Sequence, residues 1–139
     1  MITRRRGTAI VETTKGILIA SGRKKVFLLP GGGAEKWESR RKATIRELKE
    51  ETGLKAESWK YLFTYNEPKY TLEGKRRKIR NFHKVFLIKT SGYPKPNYHD
   101  VSYISYYTKN SNIRISKTTR IILDKYFKEY KNPTINDHI

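Results

Sequence analysis

Carboxylates are scarce in this chain, yet many of them fall within one short stretch. The sequence has 31 Lys and Arg against 13 Asp and Glu, and that stretch holds Glu35, Glu38, Glu47, Glu50 and Glu51. At about 100° per residue, the last three share one face of a helix. Like charges at these spacings destabilise a helix, so the arrangement favours a bound divalent cation with oxygen ligands, such as Mg²⁺. Neutralisation of the acidic face by nearby bases such as Arg46 is an equally good explanation.

Carboxylates that act together need a rigid element to hold them. The segment 39–52 contains neither Gly nor Pro and is rich in helix formers, and Gly53 supplies a helix stop. Ahead of this predicted helix, residues 26–29 are predicted to form a strand that ends at Pro30. Glycines 31–33 are predicted to shape the loop between that strand and the helix, where they allow close backbone approach.

The remaining pattern predicts strands, a helix, more strands and a second helix. Short apolar and aromatic runs favour strands at 8–12, 16–20, 59–65, 80–90 and 100–107, and Ser116 is a suitable N-cap for a last helix over 117–130. This order predicts an α/β fold with a mixed sheet and helices on its faces.

Composition limits the class of protein. A chain of 139 residues fits one domain, for which we predict the range 1–139 with a flexible tail at 131–139. The absence of Cys leaves no disulfide framework or thiolate metal site, and no apolar run approaches the length of a membrane span. These features predict a cytoplasmic protein that does not enter a membrane. The formal net charge of +18 attracts polyanions, including RNA, although a merely solubilising surface is an equal alternative.

The spacing of residues around the acidic stretch resembles the Nudix box, G-x5-E-x7-R-E-U-x-E-E-x-G-U, where U is aliphatic. Every specified position is filled, by Gly32, Glu38, Arg46, Glu47, Leu48, Glu50, Glu51, Gly53 and Leu54. Trp37 departs from the small residue that is usual just before the first Glu of the box. The resemblance identifies the chain as a member of the Nudix (MutT-like) hydrolases and implies an α/β/α sandwich with the mixed sheet between helices.

The resemblance also implies a chemistry. Members of this family are Mg²⁺- or Mn²⁺-dependent hydrolases of a nucleoside diphosphate linked to another group X, with water attacking phosphorus. By position, Glu47, Glu50 and Glu51 would hold the metal ions beside Gly32. Glu47 or a neighbour such as Glu50 would orient or deprotonate the water, and Arg46 would pair with Glu38 or Glu47 to fix the helix against the loop.

Residues outside the box select the group X, and in this sequence two of them indicate different substrates. Pro68 has the spacing seen in ADP-ribose hydrolases, whereas Tyr70 has that of dinucleoside polyphosphate hydrolases. Tyr65 and Tyr70 are candidates to stack on a base, although strand aromatics more often belong to the core. Asp100 falls loosely where many family members carry an additional acidic ligand.

Basic residues crowd one predicted hairpin, with Arg76 and Arg80 as candidate substrate contacts in the cluster 75–80. This cluster suits the phosphates of a long polyphosphate or an RNA 5′ end, so an RNA 5′-end pyrophosphohydrolase is the alternative function. A solvated edge that discourages aggregation explains it equally well. A non-catalytic nucleotide- or RNA-binding domain ranks last because the box is intact. The expected partner is a nucleotide-derived substrate, with RNA and a homodimer left open.

Overall fold

The computed structural model describes residues 1–74 and 76–131. Beyond residue 131, the predicted flexible tail lies outside the described residues. The described elements, in chain order, are β1 (Ile2–Ile10), β2 (Glu12–Thr13), β3 (Gly16–Ser21), β4 (Gly31–Gly33), α1 (Arg40–Thr52), β5 (Lys55–Asn66), β6 (Thr71–Glu73), β7 (Arg77–Ser91), β8 (Tyr103–Tyr107), α2 (Lys117–Tyr126) and a π-helical turn (Phe127–Lys131). No helix of this part is long and apolar enough to cross a membrane.

The strands form a mixed sheet, as the element order predicts. A five-stranded sheet has the order β4-β1-β7-β5, with β6 also paired to β7. Strands β1 and β7 are parallel, whereas β4, β5 and β6 pair antiparallel with their neighbours. A second sheet has the order β2-β3-β8 and is antiparallel.

Alternate residues of the central strands face two different cores. Phe86 of β7 packs in a cluster with Leu48 of α1 and Ala9 of β1, whereas Val85 packs in a cluster with Ile122 of α2. Successive strand side chains point to opposite faces, so one helix covers each face of the sheet. Burial of each such aliphatic side chain contributes about 1.5–3 kcal/mol. The predicted α/β/α arrangement is therefore confirmed.

One predicted strand is wrong. Residues 26–29 form no strand, only isolated bridges at Phe27 and Leu28, and the glycines expected to be a loop form β4 instead. Gly31 has a φ of 149°, and a β-carbon on it would lie 2.1 Å from the carbonyl oxygen of Gly7 on β1. Gly31 thus allows close pairing of β4 with β1, which a side chain at this position would prevent.

The last helix begins after its predicted cap, Ser116, and α1 has an equivalent cap at Ser39. The hydroxyls of Ser39 and Ser116 each accept a hydrogen bond from a backbone N–H three residues later. Gly53 ends α1 in the left-handed conformation, with a φ of 76°. The last predicted helix is α-helical only to Tyr126 and continues as the π-helical turn.

Candidate active site

Two glycines set how closely α1 approaches the sheet. A β-carbon on Gly7 would lie 2.0 Å from the hydroxyl oxygen of Thr44, and one on Gly32 would lie 2.5 Å from the carboxyl carbon of Glu47. The hydroxyl of Thr44 is itself occupied, since it donates to the carbonyl of Arg40 at 2.7 Å. The acidic face of α1 therefore lies directly against β4.

Arg46 joins the box carboxylates. Its Nε and Nη2 donate to the two oxygens of Glu38 at 2.8 and 2.9 Å, and Nη1 donates to Glu47 at 2.8 Å and to Glu50 at 3.4 Å. Nη2 also donates to the carbonyl of Gly33 at 3.2 Å. The family resemblance implied that Arg46 pairs with Glu38 or Glu47, and in the structure Arg46 pairs with both. The hydrogen bonds from Arg46 lower the pKa of Glu38 to about 2.

The loop before α1 contains an exposed aromatic residue in an unusual conformation. Trp37 is 91% exposed and has a φ of 73°, in the region that disfavours bulky side chains. This backbone geometry explains why a small residue is usual at that position of the box. The box carboxylate of the same loop is nevertheless in place, because Glu38 also accepts from the backbone N–H of Glu35 at 2.9 Å.

Glu51 has a different environment from its neighbours. Its carboxylate accepts from the backbone N–H of Gly31 at 2.9 Å. Burial raises the pKa of Glu51 to about 7; the negative charges of Glu47 and Asp100 add to this effect, while the Gly31 hydrogen bond and the positive charge of Arg6 oppose it. Burial therefore disfavours the ionised form of Glu51, and a cation beside it would favour that form.

The loop that carries Asp100 is docked on the end of α1. The side-chain amide of Asn97 donates to the carbonyl of Glu50 at 3.0 Å, and its carbonyl oxygen accepts from the backbone N–H of Asp100, also at 3.0 Å. Asp100 and Glu51 line one groove together with Arg6 and Gly31. The structure thus brings the predicted additional acidic residue to the acidic end of the helix.

A polar cavity of about 200 Å³ adjoins this groove on the α2 side of the sheet. At its wall, Glu67 accepts from the backbone and side-chain N–H groups of Asn81 at 2.9 and 3.1 Å, from His83 Nε2 at 3.2 Å and from the hydroxyl of Thr118 at 3.2 Å. A carboxylate only accepts, so Nε2 of His83 carries the proton, and Nδ1 accepts from Thr8 at 3.1 Å. Burial lowers the pKa of His83 and keeps the ring neutral.

Arg6 lies between the cavity and the acidic groove and lines both. Its Nε is buried and has no hydrogen-bond partner among residues 1–74 and 76–131. Burial, followed by the positive charge of Arg4, lowers the pKa of Arg6, although the carboxylates of Glu51, Glu47 and Glu67 oppose this. A donor left unpaired in the interior is costly, so it marks a place where a ligand acceptor would be favourable.

Comparison with known proteins identifies the family of this chain. The sequence profile of the NUDIX domain matches residues 2–119 of this chain. The chain belongs to the Nudix family. A solved structure assigned to the nudix hydrolase family, from Chromobacterium violaceum, shares 35% sequence identity at a TM-score of 0.77, over 90% of this chain and 77% of the other. No curated protein sequence matches the chain.

Other solved Nudix structures are similar in fold. A MutT NUDIX hydrolase from Burkholderia pseudomallei has 20% identity and a TM-score of 0.72, over 88% of this chain and 96% of the other. A UDP-X diphosphatase has 18% identity and a TM-score of 0.68, over 90% of this chain and 63% of the other. Nudix hydrolases generally act on pyrophosphate bonds and use divalent metal ions.

The residues of this Nudix protein fit a hard divalent cation. The donors at the acidic groove are the carboxylate oxygens of Glu51 and Asp100, which suit Mg²⁺ or Mn²⁺. Within the described ranges no three His, Asp or Glu side chains are already gathered as a ligand set. The guanidinium of Arg46 contacts both Glu47 and Glu50, at 2.8 and 3.4 Å.

The predicted substrate residues of this Nudix protein are only partly brought together. Tyr65 stacks on His83 with ring centroids 6.1 Å apart, and it shares a groove with Tyr70 beside the polar cavity. Arg80 donates to the carbonyl of Glu67, and its guanidinium lies over Phe82. Arg76 is exposed in the turn between β6 and β7, and Lys75 of the same cluster lies outside the described residues.

Sequence reasoning missed the residues that build the cavity. Arg6, Glu67 and Asn81 carry no motif, and they meet because parallel pairing places Arg6 opposite His83 and antiparallel pairing places Tyr65 opposite His83. The alternation along β1, where Arg6 and Thr8 share a face, is the one local signal that could have placed Arg6 at a wall of the site.

Proposed function

We propose that this Nudix protein is a Mg²⁺- or Mn²⁺-dependent hydrolase that cleaves a diphosphate linkage in a nucleoside diphosphate linked to another group, by attack of water on phosphorus. The observation that carries the proposal is the placement of three carboxylates on α1: Glu47 and Glu51 lie against β4, Glu51 lines an open groove, and Glu50 reaches solvent. These are three of the four carboxylates of a complete box, and all three lie on the helix, in a chain of this family.

Each carboxylate has a distinct part in the proposal. Glu51, held by the N–H of Gly31, and Glu47, held by Arg46, would form the fixed part of the cation site. Glu50 has a side chain that is 55% exposed, so it is the carboxylate that solvent reaches and the best placed to orient the attacking water. The bound metal would neutralise phosphoryl oxygens and lower the pKa of that water.

Arg46 is a positioning residue in this scheme. Its guanidinium group hydrogen-bonds Glu38 of the loop and Glu47 of the helix, and so fixes the two carboxylates relative to each other. Movement of a ligand by about 1 Å is enough to lower a rate about 100-fold, so this geometry matters beyond its contribution to stability.

The polar cavity is the proposed seat for a part of the substrate next to the diphosphate. Glu67 already accepts four hydrogen bonds, which fills the lone-pair sites of a carboxylate, so it is not free to recognise a ligand. Nε of Arg6 is the unpaired donor and would meet a phosphate or carbonyl oxygen. Tyr65 and Tyr70 line the adjoining groove, where a base could stack. These features suit a nucleoside triphosphate, a dinucleoside polyphosphate or an ADP-ribose type of substrate.

The proposal is tested by incubation of the pure protein with Mg²⁺ or Mn²⁺ and a panel of ADP-ribose, diadenosine polyphosphates, nucleoside triphosphates and oxidised deoxynucleotides, followed by product identification. We expect turnover that is lost in Glu50→Gln and retained in Glu129→Gln, a control on the π-helical turn whose carboxylate pairs with Lys125. No turnover of any member, or equal turnover by Glu50→Gln, would contradict it. Nucleotide binding without turnover would favour a non-catalytic domain.

A second candidate substrate is the triphosphorylated 5′ end of RNA. The turn and first residues of the β6–β7 hairpin expose Arg76, Arg77 and Lys78, which suit an RNA backbone. Release of phosphate or pyrophosphate from 5′-triphosphorylated RNA, with affinity that falls as salt rises, is the expected result. Affinity that is indifferent to salt would exclude this candidate.

A further inference from the structure

The face of the sheet that carries α1 is not fully covered by it. Beyond the helix, β5 exposes Trp59 and Tyr61, which are 47% and 48% exposed, and β7 adds the half-buried Phe82. The ring of Tyr61 contacts Phe86, a member of the core under α1, with centroids 5.9 Å apart, so these rings belong to the α1 face. Single exposed aromatic residues are ordinary, whereas several on one sheet face need an explanation.

Each of these rings carries a cation. The guanidinium of Arg41 lies 5.1 Å from the ring centroid of Trp59, Lys84 Nζ lies 5.2 Å from that of Tyr61, and the guanidinium of Arg80 lies 4.9 Å from that of Phe82. We name these six residues, Trp59, Tyr61, Phe82, Arg41, Lys84 and Arg80, the aromatic–basic surface.

The aromatic–basic surface runs along the strands. In the β5–β7 register, Trp59 pairs with Ile88, Tyr61 pairs with Phe86 and Asn66 pairs with Phe82. Six residues of strand β7 therefore separate the two ends, a length of about 20 Å. This is a row of rings, each with a cation over one face, rather than a compact hydrophobic patch.

We propose that the aromatic–basic surface binds single-stranded nucleic acid. Unpaired bases stack on aromatic rings irrespective of sequence, and adjacent Arg and Lys side chains neutralise the phosphates between them. Charge complementarity supports this occupant, because every charged member of the surface is basic and the whole chain carries +18. A duplex presents no free base faces, so it satisfies only the charges. The site does not require hydrolysis and is separate from the acidic groove on the opposite flank of α1.

Binding of a fluorescein-labelled 12-nucleotide oligo(U) RNA, followed by anisotropy at fixed salt, tests the proposal. We expect Trp59→Ala to weaken binding about tenfold or more. Tyr93→Ala, at an equally aromatic but unconnected position that is 95% exposed, should bind as wild type does. Glu50→Gln should also bind as wild type does, which separates this result from failure of the proposed hydrolase.

The charges are tested by the salt dependence of the same binding. Arg41→Gln combined with Lys84→Gln should reduce the slope of log K against log salt by about 0.7 for each phosphate that is no longer neutralised. Arg23→Gln combined with Lys24→Gln, two exposed bases in the turn after β3, is the matched control. An unchanged slope in the first double variant, or an equal change in both, would overturn the proposal.

The fluorescence of Trp59 tests the proposal without removing any ring of the aromatic–basic surface. In a Trp37→Phe protein, Trp59 is the remaining tryptophan, since the sequence has only 2. Stacking predicts that oligo(U) quenches its fluorescence, and that a duplex of the same length does so much less. Absence of quenching at saturating oligo(U), or binding of duplex as tight as of single strand, would show that the attraction is only that of net charge and would overturn the proposal.

Discussion

The carboxyl carbon of Glu47 lies so close to the backbone of Gly32 that a β-carbon on the glycine would stand 2.5 Å from it. A helix residue and a strand residue are thus held in contact by the absence of one side chain. Glu47 also accepts a hydrogen bond from Arg46, which fixes the position of its carboxylate. The absence of a side chain on Gly32 leaves the space that the carboxylate needs in that position.

Gly32→Ala should therefore impair catalysis with little effect on the fold. Gly32 does not have a positive φ, so the change acts by displacing Glu47 rather than by backbone strain. We expect kcat/KM to fall about 100-fold. Gly33→Ala is the matched control, because its β-carbon would meet only the movable Cδ of Arg4 at 3.2 Å. Equal losses in both variants would contradict the interpretation.

Arg46→Lys should lower both stability and activity. A lysine is a point charge and cannot hold Glu38 bidentately while it also contacts Glu47. We expect a loss of about 1–3 kcal/mol in the free energy of unfolding and a fall in kcat/KM. Urea denaturation and kinetics measure these quantities, with the exposed Arg120→Lys on α2 as the control. Wild-type kcat/KM in Arg46→Lys would show that the fork does not position the carboxylates.

Two side chains of the cavity wall, His83 and Glu67, should each contribute a fall in stability on acidification. Burial lowers the pKa of His83 below 6.5, so the unfolded chain binds a proton first and stability falls as the pH drops below about 6.5. Burial by itself would raise the pKa of Glu67, but hydrogen bonds from Asn81 and His83 outweigh it and leave the pKa below 4.5. Stability supplied by Glu67 is therefore present above about pH 4.5 and is lost at lower pH.

The measurement for this pH dependence is the urea midpoint between about pH 3 and 8 in a Glu51→Gln background, because the pKa of Glu51, raised to about 7, makes stability rise on acidification over part of the same range. His83→Gln should remove the stage near pH 6.5, whereas His99→Gln, whose side chain is 89% exposed, should leave the profile unchanged. In the Glu51→Gln background, a midpoint that rises as the pH falls from about 7 to 5.5 would have the wrong sign for a buried neutral His83.

Tyr126→Phe should affect stability alone. The Tyr126 side chain is buried in the α2 core, and its hydroxyl donates to Glu12 at 2.6 Å. Loss of this hydrogen bond should lower the free energy of unfolding by about 1 kcal/mol, since Glu12 is partly solvated. Thermal melting measures the loss, and kcat should remain that of wild type because Tyr126 lines neither the acidic groove nor the polar cavity. A large fall in kcat would contradict that separation.

The sequence by itself determined the local features of this protein. The cap at Ser39, the stop at Gly53 and the spacing of the box carboxylates all follow from interactions within a few residues, so the helix and its acidic face could be predicted from their own segment. The complete box also indicates the family, and the profile match confirms it.

Only the tertiary structure decided what surrounds that face. The parallel register of β1 and β7 sets Arg6 opposite His83, and the close pairing of β4 with β1 turns three glycines into a strand whose N–H binds Glu51. Register joins residues more than 70 positions apart and depends on which faces are buried, so no local pattern contains it. That long-range packing leaves Nε of Arg6 without a partner among the described residues, supplies four hydrogen bonds to Glu67 and buries the carboxylate of Glu51.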